Sequence, residues 1–220
     1  DPGTTIGIGS DSIFIITPDA GGTSSLACDT FKQDCDEGEK CTAWANDGGL
    51  YNATKCVEVT GNKTPGDICT TEGGATTGID DCQAGAMCWD VDAQNTGTCV
   101  ALCTGTPDAP ICGPGFECAV TSENVLNLCL PGCDPLQPDC LPGDLCIPTG
   151  DGFICTAPAP GDPGQQNDPC ELTNACAAGL FCIPPANASS ACDQQATGCC
   201  QPFCEFIEGD STVPVGKSRF

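Results

Sequence analysis

The sequence predicts a small disulfide-rich fold of β-hairpins and irregular segments, in which tandem four-cysteine repeats form an elongated rod. Three observations support this prediction. The 220 residues include 23 cysteines, a density at which covalent cross-links replace a hydrophobic core in secreted domains. Ile, Leu, Val and Phe together number only 39, too few for the core of a globular enzyme of this length. The cysteines also recur in a fixed pattern.

The pattern is a quartet whose middle two cysteines enclose five residues with glycine at the centre, C-x2-G-x2-C. It occurs five times, around Gly38, Gly85, Gly115, Gly143 and Gly179. Each glycine is expected to adopt a positive φ in a tight turn that leads into a short strand, so each quartet is predicted to be a hairpin closed by two disulfides. Four cysteines allow three pairings, and the sequence does not choose among them. Our expectation is the crossed one, first to third and second to fourth.

The distances between quartets predict the domain organisation. Only three residues separate Cys99 from Cys103 and Cys129 from Cys133, so repeats 2 to 4 are expected to form one stiff block. Proline and glycine before repeat 5 indicate an extended spacer. The expected segments are an N-terminal arm with a candidate β-strand at 1–27, repeat 1 at 28–56, repeats 2–4 at 69–155, a Pro/Gly linker at 156–169, repeat 5 at 170–204 and a C-terminal tail at 205–220.

The last cysteines of the chain do not fit a simple quartet. The simplest arrangement pairs Cys192 with Cys199 and lets Cys200 close repeat 5. Cys204 then remains as a candidate for an unpaired or intermolecular cysteine.

Cysteine usage and charge narrow the location and the function class. Stable disulfides need an oxidising compartment, so the protein is expected to be extracellular or on a cell surface. The polar start fits a mature chain, and no apolar run is long enough for a transmembrane segment. Thirty acids against six bases argue against nucleic acid as a partner, and the lack of histidine excludes imidazole catalysis. We therefore expect no enzymatic activity.

The acidic residues offer two candidate pairs, Asp80 with Asp81 and Asp90 with Asp92. Glycoside hydrolysis by either pair would need a rigid cleft and a carboxyl group with a raised pKa. We therefore expect these acids to be solvated on the surface. Asp90 and Asp92 are weak calcium candidates, although their segment lacks the glycine and glutamate of an EF-hand loop. Calcium is the only cofactor that the sequence suggests. Residues 64–216 contain 20 acids and neither Lys nor Arg, a composition that attracts cations.

Two aromatic residues complete the candidate binding groups. Trp44 and Trp89 follow the third cysteines of repeats 1 and 2. We expect them to pack against disulfides, and a platform for glycans is the lesser alternative.

The N-terminal arm is apolar and carries no cysteine. In residues 4–8, apolar side chains alternate with polar residues or glycine, and residues 12–17 are mostly β-branched and apolar. Both patterns predict strands. An exposed strand of this kind aggregates unless it is paired. It either folds back on its own repeats or adds itself to a neighbouring molecule, a contact that generates a filament. The candidate assembly residues are Ile6, Ile8, Ile13, Phe14, Ile15 and Ile16.

Six motifs between residues 28 and 204 are specific enough to compare with known sequences. They are Glu37-Gly-Glu-Lys-Cys-Thr-Ala-Trp-Ala-Asn-Asp-Gly-Gly49, Gly78-Ile-Asp-Asp-Cys82, Met87-Cys-Trp-Asp-Val-Asp92, Thr98-Cys-Val-Ala-Leu-Cys-Thr-Gly105, Cys133-Asp-Pro-Leu-Gln-Pro-Asp-Cys140 and Gly198-Cys-Cys-Gln-Pro-Phe-Cys204. These motifs resemble the cysteine-rich secreted or surface repeat proteins of myxobacteria and their relatives. The resemblance implies export and a disulfide-repeat architecture, and it implies no particular activity.

These observations lead to one functional expectation and one alternative. We expect an extracellular structural protein that self-associates through its N-terminal strand into a surface fibre or sheath. The alternative is a surface-displayed binding module, such as an adhesin or a protease inhibitor.

Overall fold

The computed structural model describes residues 25–49, 51–121, 124–137, 139–149, 152–159 and 161–203. In these ranges the chain forms small β-sheets and no α-helix. The predicted fold class of disulfide-rich β-hairpins is therefore confirmed, whereas the rod-like arrangement stays a prediction. None of these residues forms a helix that is long and apolar enough to span a membrane.

The strands follow the cysteine repeats. Repeats 1, 2 and 5 each contain a three-stranded sheet with the last strand in the centre, while repeats 3 and 4 contain two-stranded sheets. The strands are β1 Ser25–Leu26, β2 Glu39–Trp44 and β3 Ala53–Glu58; β4 Ile68–Thr70, β5 Ala86–Trp89 and β6 Thr96–Ala101; β7 Thr104–Thr106, β8 Ala109–Ile111, β9 Phe116–Thr121 and β10 Leu126–Pro131; β11 Leu145–Pro148 and β12 Phe153–Thr156; β13 Pro169–Cys170, β14 Leu180–Ile183 and β15 Gly198–Pro202, with a 3-10 turn at Pro185–Asn187.

The hairpin of each repeat begins at the predicted glycine. The five glycines have φ values between 73° and 104°, a region that other residues rarely adopt. The strand after each glycine carries the third cysteine. In four repeats it faces the fourth cysteine directly across the sheet, at the pairs Cys41/Cys56, Cys88/Cys99, Cys146/Cys155 and Cys182/Cys200.

The facing cysteines do not bond to each other but to the two cysteines that precede the hairpin. All five repeats use the crossed pairing, first to third and second to fourth, so our expectation is confirmed. The extra bond Cys192–Cys199 is confirmed as well. The disulfides are 28–41, 35–56, 69–88, 82–99, 103–118, 112–129, 133–146, 140–155, 170–182, 176–200 and 192–199.

The described chain divides into two compact units with the boundary between Leu130 and Pro131. Unit 1 contains repeats 1 to 3, and unit 2 contains repeats 4 and 5. The boundary falls inside the segment 69–155, whose rigidity stays a prediction. Several buried clusters consist mainly of cystine. Aliphatic side chains are buried as well, among them Leu128 in repeat 3 and Ile147 and Ile154 in repeat 4.

Repeat 1 contacts both of its neighbours in unit 1. Phe31 is 7% exposed and packs against Cys103 and Cys129 of repeat 3. The Ala45 N–H donates to the carbonyl oxygen of Thr76 in repeat 2 at 2.9 Å. The first three repeats therefore form one packed group.

Unit 2 is joined by aromatic contacts and an asparagine. Phe203 stacks on Phe181 at 4.5 Å between ring centroids and meets Phe153 edge-on at 5.6 Å. The Asn174 side-chain amide donates to the carbonyl oxygen of Ala157 at 2.9 Å. These contacts connect repeat 4 to repeat 5.

Candidate functional site

The N-terminal arm joins the described structure at the sheet of repeat 1. β1 pairs in parallel with β3, with Ser25 opposite Ala53 and Leu26 opposite Thr54. The Thr54 hydroxyl fixes this junction, because it donates to the carbonyl oxygen of Cys28 at 2.7 Å and accepts from the same residue's N–H at 3.3 Å. The chain thus enters repeat 1 as an added strand.

The two edges of this sheet are covered to different extents. β1 spans two residues and β3 six, so no described strand pairs with residues 55–58 of β3 on the side of β1. The outer edge of β2 is closed by Gln33, whose side-chain amide donates to the Cys41 carbonyl at 2.9 Å and accepts from the Cys41 N–H at 3.1 Å. The uncovered part of β3 is a place where an extended segment can add.

An open groove of about 380 Å³ lies beside this junction, between the segment 26–34 of repeat 1 and Pro107 and Asn124 of repeat 3. Its two carboxylates act as turn caps. Asp29 accepts from the N–H of Phe31 at 2.9 Å, and Asp34 accepts from the N–H of Asp29 at 2.8 Å. A hydrogen bond from Lys32 holds the pKa of Asp29 below its usual value. This groove combines an apolar wall with fixed negative charge.

The sequence-predicted assembly residues of the arm, from Ile6 to Ile16, lie outside the described residues, and so does Cys204. The eleven disulfides use all of the cysteines except Cys204. The roles of the arm and of Cys204 therefore stay predictions.

The calcium candidates Asp90 and Asp92 lie at the turn between β5 and β6. Asp92 Oδ1 accepts from the N–H groups of Gln94 and Thr96 at 2.8 and 2.9 Å. Asp90 is exposed and has a positive φ of 52°. The hydrogen bonds explain Asp92 as the residue that closes this turn, and calcium binding here stays a prediction.

The cysteines bring sulfur atoms close together in each repeat. Groups of three lie within 4.8 Å of one another, a spacing that would suit a metal ion if they were thiolates. Because all of these sulfurs are in disulfides, their proximity reflects the two crossed bonds of each repeat.

A buried ion pair joins repeats 1 and 2, and sequence reasoning missed it. Lys40 and Asp80 lie 2.6 Å apart, with side chains 0% and 1% exposed. The Lys40 ammonium also donates to the carbonyl oxygens of Cys82 and Ala86 at 2.9 and 3.1 Å. All three of its donors are therefore used.

Asp80 is equally satisfied. Its carboxylate accepts from the N–H of Cys82 at 2.8 Å and from the N–H of Cys88 at 3.1 Å. The expectation that the acidic pair is solvated is wrong for Asp80, because a lysine forty residues earlier neutralises it. Asp81 is the partly exposed member, paired with Lys63 at 2.8 Å.

An aromatic group borders the same junction. The Lys55 ammonium lies 4.5 Å from the centre of the Trp44 ring, a cation–π contact. Trp89 lies 5.9 Å from the Tyr51 ring, and the Tyr51 hydroxyl donates to the carbonyl oxygen of Ala75 at 3.1 Å. These contacts give both tryptophans partners in repeat 1.

Comparison with known proteins yields no relative: no family model, no curated protein and no solved structure matches the chain. The resemblance to the myxobacterial proteins therefore stays a prediction, and the function must be argued from the chain's own geometry.

Proposed function

We propose that this protein is a non-enzymatic structural protein of the extracellular space or cell surface, which assembles by adding its N-terminal arm as a strand to a neighbouring copy. The observation that carries this proposal is the partial cover of β3. The described end of the arm already adds a strand there, and residues 55–58 remain free to pair on that side among the described strands.

The geometry of such a contact favours a fibre. Donor and acceptor are different surfaces of the same chain, so the contact is head-to-tail and does not close on itself. The arm supplies a β-branched apolar segment at residues 12–17, and backbone hydrogen bonds to the sheet edge supply the affinity.

The covalent framework suits a protein exposed to proteases. Twenty-two cysteines are paired within loops of 7 to 24 residues, and a disulfide closing about 15 residues contributes about 3 kcal/mol. The disulfides are compatible with an extracellular protein. Residues 64–216 contain no Lys or Arg, so trypsin finds no cleavage site there.

Substitution within the arm tests the assembly. Ile15→Lys places a charge in the centre of the donor segment and is expected to abolish filaments, because a buried charge opposes strand addition. Ala20→Lys adds the same charge outside the segment and is the matched control. Filament length is measured by negative-stain electron microscopy and the mass distribution by sedimentation velocity.

Filaments that form equally well in wild type, Ile15→Lys and Ala20→Lys would contradict an arm-mediated contact. A wild-type chain that stays monomeric at every concentration would contradict assembly itself.

The second candidate function is a binding module, which the groove beside the junction favours. The volume of this groove, about 380 Å³, falls within the range of small-ligand sites. Asn124→Trp fills the groove from repeat 3, and Asn124→Ser is its control. If binding is the function, Asn124→Trp removes binding to a panel of glycans and serine proteases, whereas Ile15→Lys leaves it intact.

A further inference from the structure

Repeats 1 and 4 contain the same loop between their first two cysteines. In both, six residues separate the cysteines, aspartate follows the first cysteine and precedes the second, and a large apolar residue stands third after the first cysteine. None of the other three repeats has this spacing. The matching segments are Cys28-Asp-Thr-Phe-Lys-Gln-Asp-Cys35 and Cys133-Asp-Pro-Leu-Gln-Pro-Asp-Cys140.

In the loop of repeat 1, the two aspartate carboxylates accept three hydrogen bonds. The N–H of Asp29 donates to Asp34 Oδ1 at 2.8 Å, and the N–H of Phe31 donates to Asp29 Oδ1 at 2.9 Å. The Lys32 ammonium donates to the other oxygen of Asp29. The loop thereby presents Phe31 as a projecting apolar side chain.

The loop of repeat 4 makes the same three bonds at the same positions. The N–H of Asp134 donates to Asp139 Oδ1 at 3.2 Å, and the N–H of Leu136 donates to Asp134 Oδ1 at 2.9 Å. The Gln137 side-chain amide donates to Asp134 Oδ2 at 3.2 Å. Leu136 is therefore presented as Phe31 is.

The two apolar side chains differ in what covers them. Phe31 is 7% exposed and lies on the cystines of repeat 3, where Cys103 and Cys129 are 1% and 7% exposed. Leu136 is 50% exposed. In unit 1 the apolar residue of this loop, Phe31, therefore packs on the cystines of another repeat. In unit 2 its counterpart Leu136 has no such cover among the described residues.

Unit 2 also carries cystines that are only partly buried. Repeat 4 is the one repeat in which none of the four cysteines is buried, while repeat 3, covered by Phe31, has two buried ones. The half-buried set is Cys133, Cys140, Cys146 and Cys155. Repeat 4 therefore carries both an exposed apolar residue and partly exposed cystines of the kind that Phe31 covers in repeat 3.

We infer that repeat 4 is a docking surface for a second copy of this chain, in which Leu136 of each copy lies on the repeat 4 cystines of the other. Such a contact is self-complementary and closes as a two-fold dimer. It is independent of the arm, whose head-to-tail contact does not close. A chain with both contacts cross-links its filaments in pairs.

The charges of the loop determine how this dimer responds to salt. In repeat 1 the charge of Asp29 is balanced by Lys32, whereas the neutral Gln137 stands at that position in repeat 4. Residues 131–203 contain no Lys or Arg. The docking faces repel each other at low ionic strength, so added salt strengthens the dimer by screening this repulsion.

Two aspartate substitutions at exposed leucines test the inference. Leu136→Asp is expected to raise the dimer Kd at least tenfold in sedimentation velocity. Leu141→Asp is the matched control, because Leu141 is even more exposed, at 75%, and its counterpart in repeat 1 is the polar Asp36. Leu141→Asp should leave Kd within twofold, and Leu136→Phe should lower it.

Other outcomes overturn the inference. It fails if wild type shows no dimer at millimolar concentration, if Leu136→Asp and Leu141→Asp shift Kd equally, or if salt weakens association. Free-thiol counts and circular dichroism identify a variant that has merely misfolded, and Leu136→Phe then decides. The arm is tested separately, since Ile15→Lys should remove filaments and leave the dimer.

Discussion

The junction between repeats 1 and 2 and the junction between repeats 4 and 5 share a backbone and differ in side-chain chemistry. In each, one linker residue forms a parallel bridge with the second cysteine of the next repeat, Lys63 with Cys82 and Gly164 with Cys176. Each bridging residue donates its N–H to the residue before that cysteine, at 3.2 and 2.9 Å, and accepts from the residue after it at 2.8 Å in both units.

The linkers then meet the fourth cysteine in the same way. The Cys99 N–H donates to Asp67 at 2.9 Å, and the Cys200 N–H donates to Asp168 at 3.0 Å. The preceding residues, Gly66 and Asn167, both have positive φ, 95° and 74°. The two units are thus built on one backbone plan.

The buried side chains of the two junctions are different. In the first repeat of each junction, the residue before the third cysteine is Lys40 in unit 1 and Leu145 in unit 2. In the second repeat, the residue two positions before the second cysteine is Asp80 in unit 1 and Asn174 in unit 2. All four are buried. The same backbone plan therefore buries the ion pair of Lys40 and Asp80 in unit 1 and the uncharged Leu145 and Asn174 in unit 2.

Replacing one member of the ion pair is expected to have the largest effect. Lys40→Met leaves Asp80 charged and buried, which costs about 3–5 kcal/mol. Guanidinium unfolding without reductant, followed by tryptophan fluorescence, reports on unit 1 alone, because it contains both tryptophans. Lys63→Met is the control, since the exposed pair with Asp81 is worth less than about 1 kcal/mol.

The second test gives unit 1 the uncharged residue types that unit 2 has at these two positions. Lys40→Leu combined with Asp80→Asn should recover most of the loss, because neither buried position then carries a charge. If Lys40→Met costs no more than Lys63→Met, the buried pair does not hold the junction.

A glycine at the junction is expected to have the next largest effect. Gly78 has φ +72°, and an added Cβ would lie 2.7 Å from the carbonyl oxygen of Ala43 in β2. Gly85 has φ +73° and open space around it. Gly85→Ala should therefore show only backbone strain, about 1–2 kcal/mol, and Gly78→Ala about 1–3 kcal/mol more from overpacking.

The same fluorescence-detected unfolding measures both glycine variants. Equal losses would mean that repeat 2 does not pack tightly on β2. In unit 2 the position four before the second cysteine, which is Gly78 in unit 1, is Leu172.

The smallest effect is a loss of stability that occurs only at high pH. Burial, with a smaller contribution from the charge of Asp80, raises the pKa of Tyr51 to about 12. The folded state holds this proton more tightly than the unfolded state, whose pKa is about 10. The resulting stabilisation is complete below about pH 10 and is lost as the pH rises to about 12.

Tyr51 is the only tyrosine, so tyrosinate absorbance reports on this residue alone. The native midpoint should lie near 12, and the reduced, denatured chain, as control, near 10. Asp80→Asn with Lys40→Leu should lower the native midpoint slightly. A native midpoint near 10 would show that the junction leaves the phenol in water.

The cysteine pattern made the hairpins predictable, but not the contacts between repeats. Gly38 and its counterparts mark each turn locally, and the five-residue interval between Cys35 and Cys41 recurs with it. Asp80 and Asp81, in contrast, are adjacent and chemically identical. Only the approach of Lys40 from another repeat buries one and leaves the other partly exposed.

The loops that carry Phe31 and Leu136 give the same result. Both loops place an apolar residue third after the first cysteine, and both make the same two backbone hydrogen bonds to aspartate side chains. The seat of Phe31 on repeat 3 depends on how three repeats pack in unit 1.

The spacing of cysteine and glycine was enough to predict the hairpins, because each turn is formed by neighbouring residues. It left three possible pairings in each repeat, and the structure has the crossed one throughout. The tertiary structure alone decided which charges are buried, which loops are seated and which sheet edge stays open. Those properties depend on side chains that meet from distant repeats, and burial changes the free energy of a charged or apolar group only where such neighbours replace water.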